Sequence, residues 1–430
     1  MLRGSESNEF HSTGIAGSCL RGEAGSTEIG TNLNFRYGSS WVSWEKRVMS
    51  MRSIYDTEDR IAFRETVRKF VETEIVPFAD EWDEAGEVPW DLHRKAGSLG
   101  LYGLGIDEQY GGLGFDDCFL RIIMSEEIAR GGSGGAGAAL AGCNIMTGPL
   151  QALASEEICQ RALPPIMAGE AGGSLGITEP GGGSDVARMQ TTAVRDGDHW
   201  VLNGSKTFIT GGMRANYFVI GARTGDGGLG GISLFFVERG AEGFSQTKID
   251  RKMGWWCSDT ATLYFEDCRI PAENMIGEKD RGFYAIMDNF NLERVGLIAT
   301  ALGASKCCLE ESIRYARERE TFGKPLLGHQ VIRHKIAEMS ARVDAVEAYV
   351  NQIAWLINEG EMPVAEIAKA KFHATQVYEF CAREALQIFG GAGYLRGTPV
   401  ERLYREVRVI AIGGGSEEIM RDLAVRQMGL

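Results

Sequence analysis

The sequence predicts a multidomain α+β protein in which a helical domain is followed by a small β domain and then by a second helical domain. Three observations support this prediction. Apolar residues recur at helical spacing after Thr57, the chain changes at Gly172 to short β-branched and aromatic runs, and the stretch from Val295 to Ser305 carries no charge. A helix that is apolar on every side is buried, so the last stretch predicts the central helix of the second helical domain.

Length and composition indicate a globular chain. Its 430 residues, 44% hydrophobic and 24% charged, are too many for a single core and suffice for two or three domains. The net charge of −14 argues against nucleic acid as the main partner, because a phosphate backbone is bound by clustered Lys and Arg. The longest charge-free run, from Gly131 to Ser155, contains many glycines and Pro149, so we expect no membrane span.

The nine cysteines bear on metals and on the cellular compartment. They include no CxxC pair and have no His at metal spacing, so we expect reduced thiols and no bound metal. No apolar segment follows a basic start, which argues against a secretory signal peptide. The predicted compartment is the cytoplasm, with the mitochondrial matrix open for a eukaryotic chain.

The first two predicted segments are a tail and a helical domain. Residues 1–50 are rich in Gly and Ser, lack any period and are interpreted as a disordered tail. A misassigned start and a transit peptide are alternatives, and the latter is disfavoured by Glu6, Glu9, Glu23 and Glu28. Residues 51–172 are predicted to form the N-terminal helical domain, with Thr57 as the N-cap of its first helix. Further helices are expected at about 90–99, 116–130, 133–153 and 155–168.

The remaining domains follow from residue 173 onward. The middle β domain covers 173–281 and contains the runs SLGITEP, HWVLNGSKTFITGG, NYFVIGART, ISLFFVERG and TATLYFEDCRIP. The C-terminal helical domain covers 282–430, with helices expected at about 290–323, 329–358, 363–390 and 416–427. If the first of these is continuous, Glu293 and Arg319 lie roughly 39 Å apart at about 1.5 Å per residue. The two ends of this helix then serve different sites.

The run Gly132–Gly137 matches the GxGxxG pattern of dinucleotide-binding proteins. It follows the helix-like segment SEEIAR, whereas the dinucleotide fingerprint requires a preceding strand. Close packing of a glycine-rich helix is therefore the favoured interpretation.

Four other motifs are ambiguous when each is taken alone. They are Thr178–Asp185, Ile209–Gly212, Arg319–Lys324 and Gln387–Tyr394. The first two are loops whose backbone and hydroxyl groups suit a flat polar ring, although any turn that needs positive φ has the same composition. The third reads alone as a solvated charge run, and the fourth as the glycine-rich end of a helix.

Together and in this order, the segments TEPGGGSD, RETFGK, QIFGGAGY and GGSEEIMRDLA resemble the acyl-CoA dehydrogenase family over residues 55–430. The resemblance implies an FAD enzyme with an N-terminal helical domain, a middle β-barrel-like domain and a C-terminal four-helix bundle. It implies a homotetramer, built as a dimer of dimers. The implied reaction removes an α proton from an acyl-CoA thioester and passes the β hydrogen as hydride to flavin N5, with an electron-transfer flavoprotein as electron acceptor.

The resemblance also assigns contacts residue by residue. The isoalloxazine ring would meet Leu175, Ile177, Thr178, Gly183, Ser184, Phe208, Ile209 and Thr210. The adenosine-pyrophosphate end of an FAD seated in the neighbouring subunit would meet Arg319, Thr321, Phe322, His329, Gln330, Gln387, Ile388, Gly390 and Gly391. Further implied cofactor contacts are Ser416 and Glu418. Acyl-CoA would contact Ser184, Asn291, Arg294 and Gly415.

The catalytic base is where this sequence departs from most of the family. The usual Glu precedes the Thr or Ser of the C-terminal motif by two residues, and here Gly414 occupies that position. In a subgroup that includes isovaleryl-CoA and long-chain acyl-CoA dehydrogenases, the carboxylate comes from the start of the central helix, where this chain has Glu293. We interpret Glu293 as the base and the Gly414 N–H as a donor to the thioester oxygen. A helix-end Glu293 paired with Arg294 is the structural alternative.

Two alternatives to a dehydrogenase stay open at this point. One is an acyl-CoA oxidase that uses O₂. The other is a noncatalytic relative that serves as a binding or assembly subunit, including the nucleic-acid-associated branch of the family. The length and branching of the acyl group do not follow from the sequence.

Overall fold

The computed structural model describes residues 53–430, apart from the side chains of Leu229 and Asp288. The predicted tail at 1–50 lies outside the described residues. The predicted order of helices, then a sheet, then helices is confirmed.

Between residues 53 and 172, the chain forms seven α-helices. They are α1 (Glu58–Glu74), α2 (Ala79–Ala85), α3 (Trp90–Ser98), α4 (Cys118–Arg130), α5 (Gly134–Asn144), α6 (Thr147–Leu153) and α7 (Glu156–Met167). Thr57 caps α1 as predicted, because its hydroxyl accepts a hydrogen bond from the Arg60 N–H at 3.3 Å.

The prediction of one helix over 133–153 is wrong, because α5 and α6 divide this range. Pro149 is the third residue of α6. It has no N–H to bond to the preceding turn and its ring blocks a continuous helix, so the chain starts a new helix here. Helix α2 was not predicted, since seven residues are too few to show a helical period.

Between residues 173 and 276, eight strands form one sheet. They are β1 (Gly173–Gly176), β2 (Thr192–Asp196), β3 (His199–Thr210), β4 (Tyr217–Arg223), β5 (Ile232–Glu238), β6 (Phe244–Lys248), β7 (Thr260–Pro271) and β8 (Met275–Ile276). The strand order is β6-β7-β3-β2-β4-β5-β8, and β1 lies parallel beside β4 with Leu175 opposite Val219. Strands β2, β6 and β8 were not predicted because they are short and largely polar or flanked by loops.

The C-terminal part contains five helices and a small hairpin within residues 282–430. The helices are α8 (Gly282–Glu318), α9 (Gln330–Asn358), α10 (Val364–Phe389), α11 (Pro399–Ile412) and α12 (Glu417–Gln427). Residues of α8, α9, α10 and α11 share the largest core cluster, which also includes residues of α4. Helix α8 is therefore the buried centre of a four-helix bundle, and α4 of the N-terminal domain packs against it.

The predicted bounds of the central helix are wrong at both ends, since α8 begins at Gly282 rather than 290 and ends at Glu318 rather than 323. The residues after it form a hairpin of β9 (Glu320–Thr321) and β10 (Lys324–Pro325). Its two-residue turn places Phe322 at φ 51° and Gly323 at φ 76°. Two consecutive positive φ angles are typical of the tight turns that join antiparallel strands, which explains the Phe-Gly pair within a charged run.

Helix α11 was missed by the sequence reasoning, although its start carries a recognisable signal. Thr398 accepts a hydrogen bond from the Glu401 N–H at 3.3 Å, and Pro399 is the first helical residue. Thr, two residues and Glu form the pattern of a capping box, and Pro is favoured at the first position of a helix. Within residues 53–430, no helix combines the length and the apolar character needed to cross a membrane.

Candidate active site

Glu293 lies in the fourth turn of α8, in the N-terminal third of this helix. Its Oε2 atom is buried and has no hydrogen-bond partner among residues 53–430. Burial raises the pKa of Glu293 to about 7, against the opposing effect of the positive charges of Arg294 and Lys371. A carboxylate with an unused oxygen and a pKa near neutrality is suited to accept a proton at physiological pH.

Arg294 does not pair with Glu293. Its Nε donates to the Gly414 carbonyl oxygen at 3.0 Å, and its Nη1 donates to Asn291 Oδ1 at 3.1 Å. The alternative of a helix-end ion pair between Glu293 and Arg294 is therefore wrong. Arg294 instead fixes the backbone of the Gly-rich segment that follows α11.

Lys371 holds the same segment from the other side. This α10 residue is 1% exposed, and its ammonium donates to the carbonyl oxygens of Ile410 at 2.7 Å and Gly415 at 2.6 Å. Burial, reinforced by the charge of Arg294, lowers the pKa of Lys371 to about 8. Two buried cations thus bind three carbonyl oxygens at the C-terminal end of α11, where the helix dipole favours positive charge.

Gly414 has a conformation and surroundings that require glycine. Its φ is +67°, and a Cβ at this position would overlap Leu297 Cδ1, one helical turn beyond Glu293. The Gly414 N–H has no acceptor among residues 53–430. The structure therefore brings Glu293 and a free Gly414 N–H to the same part of the molecule.

An apolar cavity of about 110 Å³ begins beside Leu297. It is lined by residues of α4, α5 and α8 and by Ala96, Tyr102, Trp255 and Ile410. Most of this lining is aliphatic or aromatic, and the α5 wall consists mainly of Gly and Ala. This cavity, which is bordered by Leu297 one helical turn from Glu293, is suited to an alkyl chain.

The GxGxxG run forms the start of α5 and serves packing, as the sequence analysis favoured. The N–H groups of Gly134 and Gly135 donate to the two carboxylate oxygens of Glu406, at 2.8 and 3.0 Å. A Cβ on Gly135 would lie 2.7 Å from Cys257 Sγ. The amides at the helix N-terminus are thus occupied by a side chain of α11, and the preceding element is the helix α4 rather than a strand.

The two segments assigned to the flavin ring lie side by side. The Thr207 N–H donates to the Thr178 carbonyl oxygen at 2.9 Å, and the Ser174 hydroxyl donates to the Thr210 carbonyl oxygen at 2.8 Å. Phe208 interrupts β3 with φ 58°, and its side chain is exposed. Because the ladder between β3 and β7 shifts register here, the bulge directs Phe208 out of the sheet.

These segments fit a flat polar ring. The hydroxyl groups of Thr178, Ser184 and Thr210 have no hydrogen-bond partner among residues 53–430. A Cβ built on Gly181 would meet no atom within 4 Å, so the loop borders open space. Ile177 and Ile209 are buried in the core, so their contribution to a cofactor is restricted to their backbone groups.

The residues assigned to the adenosine-pyrophosphate end form a separate group at the other end of α8. Thr321 Oγ1 lies 3.3 Å from His329 Nε2, and Tyr315 stacks on Phe389 with ring centroids 4.2 Å apart. The second contact brings the end of α10 next to the end of α8. A sequence separation of 25 residues along a continuous helix places this group roughly 38 Å from Glu293.

This second group also fits an external ligand. Arg319 is exposed and its guanidinium has no hydrogen bond or ion pair within residues 53–430, while Phe322 is 96% exposed. A Cβ on Gly390 or Gly391 would meet no atom within 4 Å. Gln330 and Gln387 are exposed, whereas Ile388 is 5% exposed and points its side chain into the bundle core.

The remaining assigned residues lie at the start of α12. Ser416 caps this helix by accepting a hydrogen bond from the Ile419 N–H at 3.4 Å, and Glu418 is exposed. Both follow directly on Gly414 and Gly415. Their position in the chain places them next to the Gly414–Gly415 segment that Arg294 and Lys371 bind.

Sequence reasoning missed Lys371 and Glu406. A single Lys or Glu within a helical pattern is usually solvated, so neither residue stood out. The only available signal was position, because Lys371 falls among the apolar residues of the α10 core face. The cavity was missed because it is formed by helices that are distant in sequence.

Three family models match the chain, and they cover most of it. They are the acyl-CoA dehydrogenase N-terminal domain at residues 57–170, the middle domain at 174–268 and the C-terminal domain at 280–429. The chain is 37% identical over 383 residues to the mitochondrial long-chain specific acyl-CoA dehydrogenase of Rattus norvegicus, with 88% of each chain covered.

Solved structures agree with these matches. A "probable acyl CoA dehydrogenase" of Mycobacterium abscessus is 43% identical and superposes with a TM-score of 0.84 over 87% of this chain and 99% of that chain. A glutaryl-CoA dehydrogenase of Mycobacterium smegmatis in complex with FADH2 is 27% identical, with a TM-score of 0.82 over 89% and 96% of the two chains.

Fold, site and comparisons together define a flavoprotein oxidoreductase. The chain belongs to the acyl-CoA dehydrogenase family, and its cofactor is FAD. The predictions of family, fold class, enzyme class and cofactor are confirmed.

Proposed function

We propose that this enzyme converts an acyl-CoA thioester into the trans-2-enoyl-CoA and that Glu293 removes the α proton. The observation that supports this most is the buried Oε2 atom of Glu293, which has no hydrogen-bond partner among residues 53–430. Burial raises the pKa of this carboxyl group to about 7, and Leu297, one helical turn further along α8, borders both Gly414 and the apolar cavity. FAD, when bound, supplies the acceptor for the β hydride at N5.

The chain's own residues act on the substrate as follows. The Gly414 N–H donates to the thioester oxygen and stabilises the negative charge that develops there as the α proton leaves. Glu293 takes this proton on its free oxygen. The carbonyls of Gly414 and Gly415 are held by Arg294 and Lys371, so that the donor and the base keep their spacing.

The rest of the site follows the resemblance. The acyl chain occupies the cavity beside Leu297, and the thioester end contacts Ser184, Asn291, Arg294 and Gly415. The isoalloxazine ring lies against the segments at 175–184 and 208–210, with Ser416 and Glu418 completing the site. The group around Arg319 binds the adenosine-pyrophosphate end of an FAD in a neighbouring subunit.

We further propose a homotetramer, built as a dimer of dimers, that passes electrons to an electron-transfer flavoprotein. The distance of roughly 38 Å along α8 between the two groups of residues supports the shared cofactor site, since one FAD does not reach both groups in one chain. The proposed domain bounds stay 51–172, 173–281 and 282–430. The cytoplasm, or the mitochondrial matrix of a eukaryote, is the proposed compartment.

Spectroscopy with acyl-CoA tests the proposed function directly. The purified protein should be yellow. When straight-chain and branched acyl-CoAs are added one at a time in the absence of oxygen, at least one of them should bleach the flavin absorption band. Oxygen uptake as fast as bleaching would indicate an oxidase instead. Binding of acyl-CoA or nucleic acid without any bleaching would favour the noncatalytic subunit and contradict the dehydrogenase.

The pH dependence of flavin reduction should follow Glu293. The base acts only when deprotonated, so the second-order rate constant at low substrate should be small below pH 6 and rise through a midpoint near the pKa of about 7. Stopped-flow absorbance between pH 5.5 and 8.5 measures this profile. A rate constant that is flat across this range would contradict the assignment of the titrating base.

Arg319→Ala should weaken FAD retention and subunit association together. A guanidinium that contacts a pyrophosphate across an interface makes a charge-assisted contact, so we expect FAD affinity to fall roughly tenfold or more. Flavin fluorescence and analytical ultracentrifugation measure the two effects. The control is Arg426→Ala, whose side chain is 74% exposed and forms a surface ion pair with Asp422. If both variants keep FAD and assembly, the shared site is wrong.

A further inference from the structure

Lys206 is a fully buried cation in the middle of the sheet. It lies on β3 with 0% exposure, two residues before Phe208. Its ammonium donates to Glu179 Oε1 at 2.8 Å and to the Ile177 carbonyl oxygen at 3.3 Å. An apolar side chain would fill such a position without the cost of burying a charge.

Glu179 receives this charge from within the loop that follows β1. Its Oε1 also accepts the Thr191 N–H at 2.9 Å, and its Oε2 accepts the Gln190 N–H at 2.7 Å. Reciprocal backbone hydrogen bonds of 3.1 Å between Glu179 and Gly182 close the turn beside it. The carboxylate therefore links three parts of the chain by hydrogen bonds. They are its own loop, the segment that precedes β2, and strand β3.

The electrostatics show that the pair is mutually dependent. Burial lowers the pKa of Lys206 to about 8, while the carboxylate beside it opposes that shift. Burial acts to raise the pKa of Glu179, but the charge and the hydrogen bond of Lys206 lower it below its usual value. Each ion stabilises the charge of the other, and the N–H groups of Gln190 and Thr191 also stabilise the carboxylate of Glu179.

The pair lies between the two segments that are assigned to the flavin ring. Ile177 and Glu179 flank Thr178, and Lys206 directly precedes Thr207, whose N–H bonds the Thr178 carbonyl oxygen at 2.9 Å. The bulge at Phe208 follows at once. No contact to substrate is involved, so Lys206 and Glu179 act through their neighbours.

We propose that the Lys206–Glu179 ion pair is a positioning device that sets the spacing of the Thr178 and Phe208–Thr210 segments, and through them the binding and the electronic environment of FAD. This inference rests on the proposed function for the location of the flavin ring. Loss of Lys206 alone leaves a carboxylate anion close to the cofactor, which disfavours the electron-rich reduced flavin. Loss of both charges removes that effect.

The test uses the holoenzyme and three variants: Lys206→Met, Glu179→Gln and the double variant. We expect each single variant to raise the FAD dissociation constant roughly tenfold, and the double variant to raise it by less than the product of the two, as coupled residues do. The flavin reduction potential should fall in Lys206→Met and return towards the parent value in the double variant. The control is Lys248→Met, an exposed lysine of β6 in the same sheet, which should match the parent.

The outcomes separate a positioning role from plain stability. If the variants melt at lower temperature but keep the parental FAD affinity, visible spectrum and reduction potential, the inference is wrong. If a single variant does not fold, the same measurements are made on the double variant, which carries neither charge. Parental FAD affinity and a parental visible spectrum in the double variant would also overturn the inference. A parent enzyme that binds FAD but is bleached by no acyl-CoA would contradict the proposed function, while the FAD measurements on the variants still decide the role of the pair.

Discussion

Glu293→Gln should bind FAD and acyl-CoA as the parent enzyme does and yet reduce its flavin slowly. The amide keeps the size of the side chain and removes the basic carboxylate, whose Oε2 atom is buried and has no hydrogen-bond partner in the described part of the chain. Loss of a general base costs roughly 10² to 10⁴ in rate, and Gly414 offers no second carboxylate. Anaerobic stopped-flow absorbance with a saturating acyl-CoA measures the effect.

The matched control for this variant is Glu318→Gln, at the exposed end of the same helix, with a side chain 67% exposed. It should reduce flavin at the parental rate.

Thermal stability gives an independent test of Glu293, because the pKa of this residue in the folded protein, about 7, is above the ordinary value of 4.5. The stabilising contribution of the protonated acid is present below pH 4.5 and is lost as pH rises through 7. Above pH 7, Glu293→Gln should therefore melt at a higher temperature than the parent enzyme. If Glu293→Gln reduced its flavin as fast as the parent enzyme, the assignment of Glu293 as the base would be contradicted.

Lys371→Met should destabilise the protein and slow flavin reduction at the same time. It removes the donor from the buried carbonyl oxygen of Ile410 and from the partly buried carbonyl oxygen of Gly415, which costs about 2 to 5 kcal/mol of unfolding free energy. The Gly414 N–H then loses its fixed position. Removal of a positive charge near Glu293 also raises the pKa of this base further, so the pH profile should move to higher pH.

Lys369→Met is the control for this second prediction. Lys369 lies two residues earlier on α10, has a side chain 35% exposed and forms an ion pair with Glu366 at 3.0 Å. Chemical denaturation of both variants compares the unfolding free energies, and stopped-flow absorbance compares the profiles. Equal stability and an unshifted profile in Lys371→Met would show that its two hydrogen bonds do not support the site.

Much of the fold follows from sequence because its signals are local. The charge-free stretch from Val295 to Ser305 predicted a buried central helix, and this stretch is the middle of α8. The errors in the predicted helix bounds occur where a proline or a tight turn interrupts an otherwise helical pattern. Pro149 divides one helical pattern into two helices, and the tight turn at Phe322 ends α8 earlier than its charge pattern indicated.

Site residues could be predicted where a single residue performs the chemistry. Residues that support the site through packing and buried hydrogen bonds could not be predicted. Glu293 and Gly414 were chosen as a pair on resemblance, and the structure adds a physical reason. A side chain at Gly414 would overlap Leu297 and adopt positive φ, so this position does not hold a carboxylate without rearrangement. Lys371 and Lys206 were not predicted, because a buried lysine is recognised only from the carbonyl and carboxylate oxygens that surround it.

The central claim is that Glu293 removes the α proton, and isotope exchange tests that step apart from hydride transfer. An acyl-CoA whose β carbon is quaternary has α hydrogens but no β hydrogen to transfer. In deuterated water, the parent holoenzyme should exchange the α hydrogens of this compound for deuterium, as measured by mass spectrometry. Glu293→Gln should bind the compound equally well and exchange at least roughly 100-fold more slowly. Exchange at the same rate by both enzymes would contradict the claim.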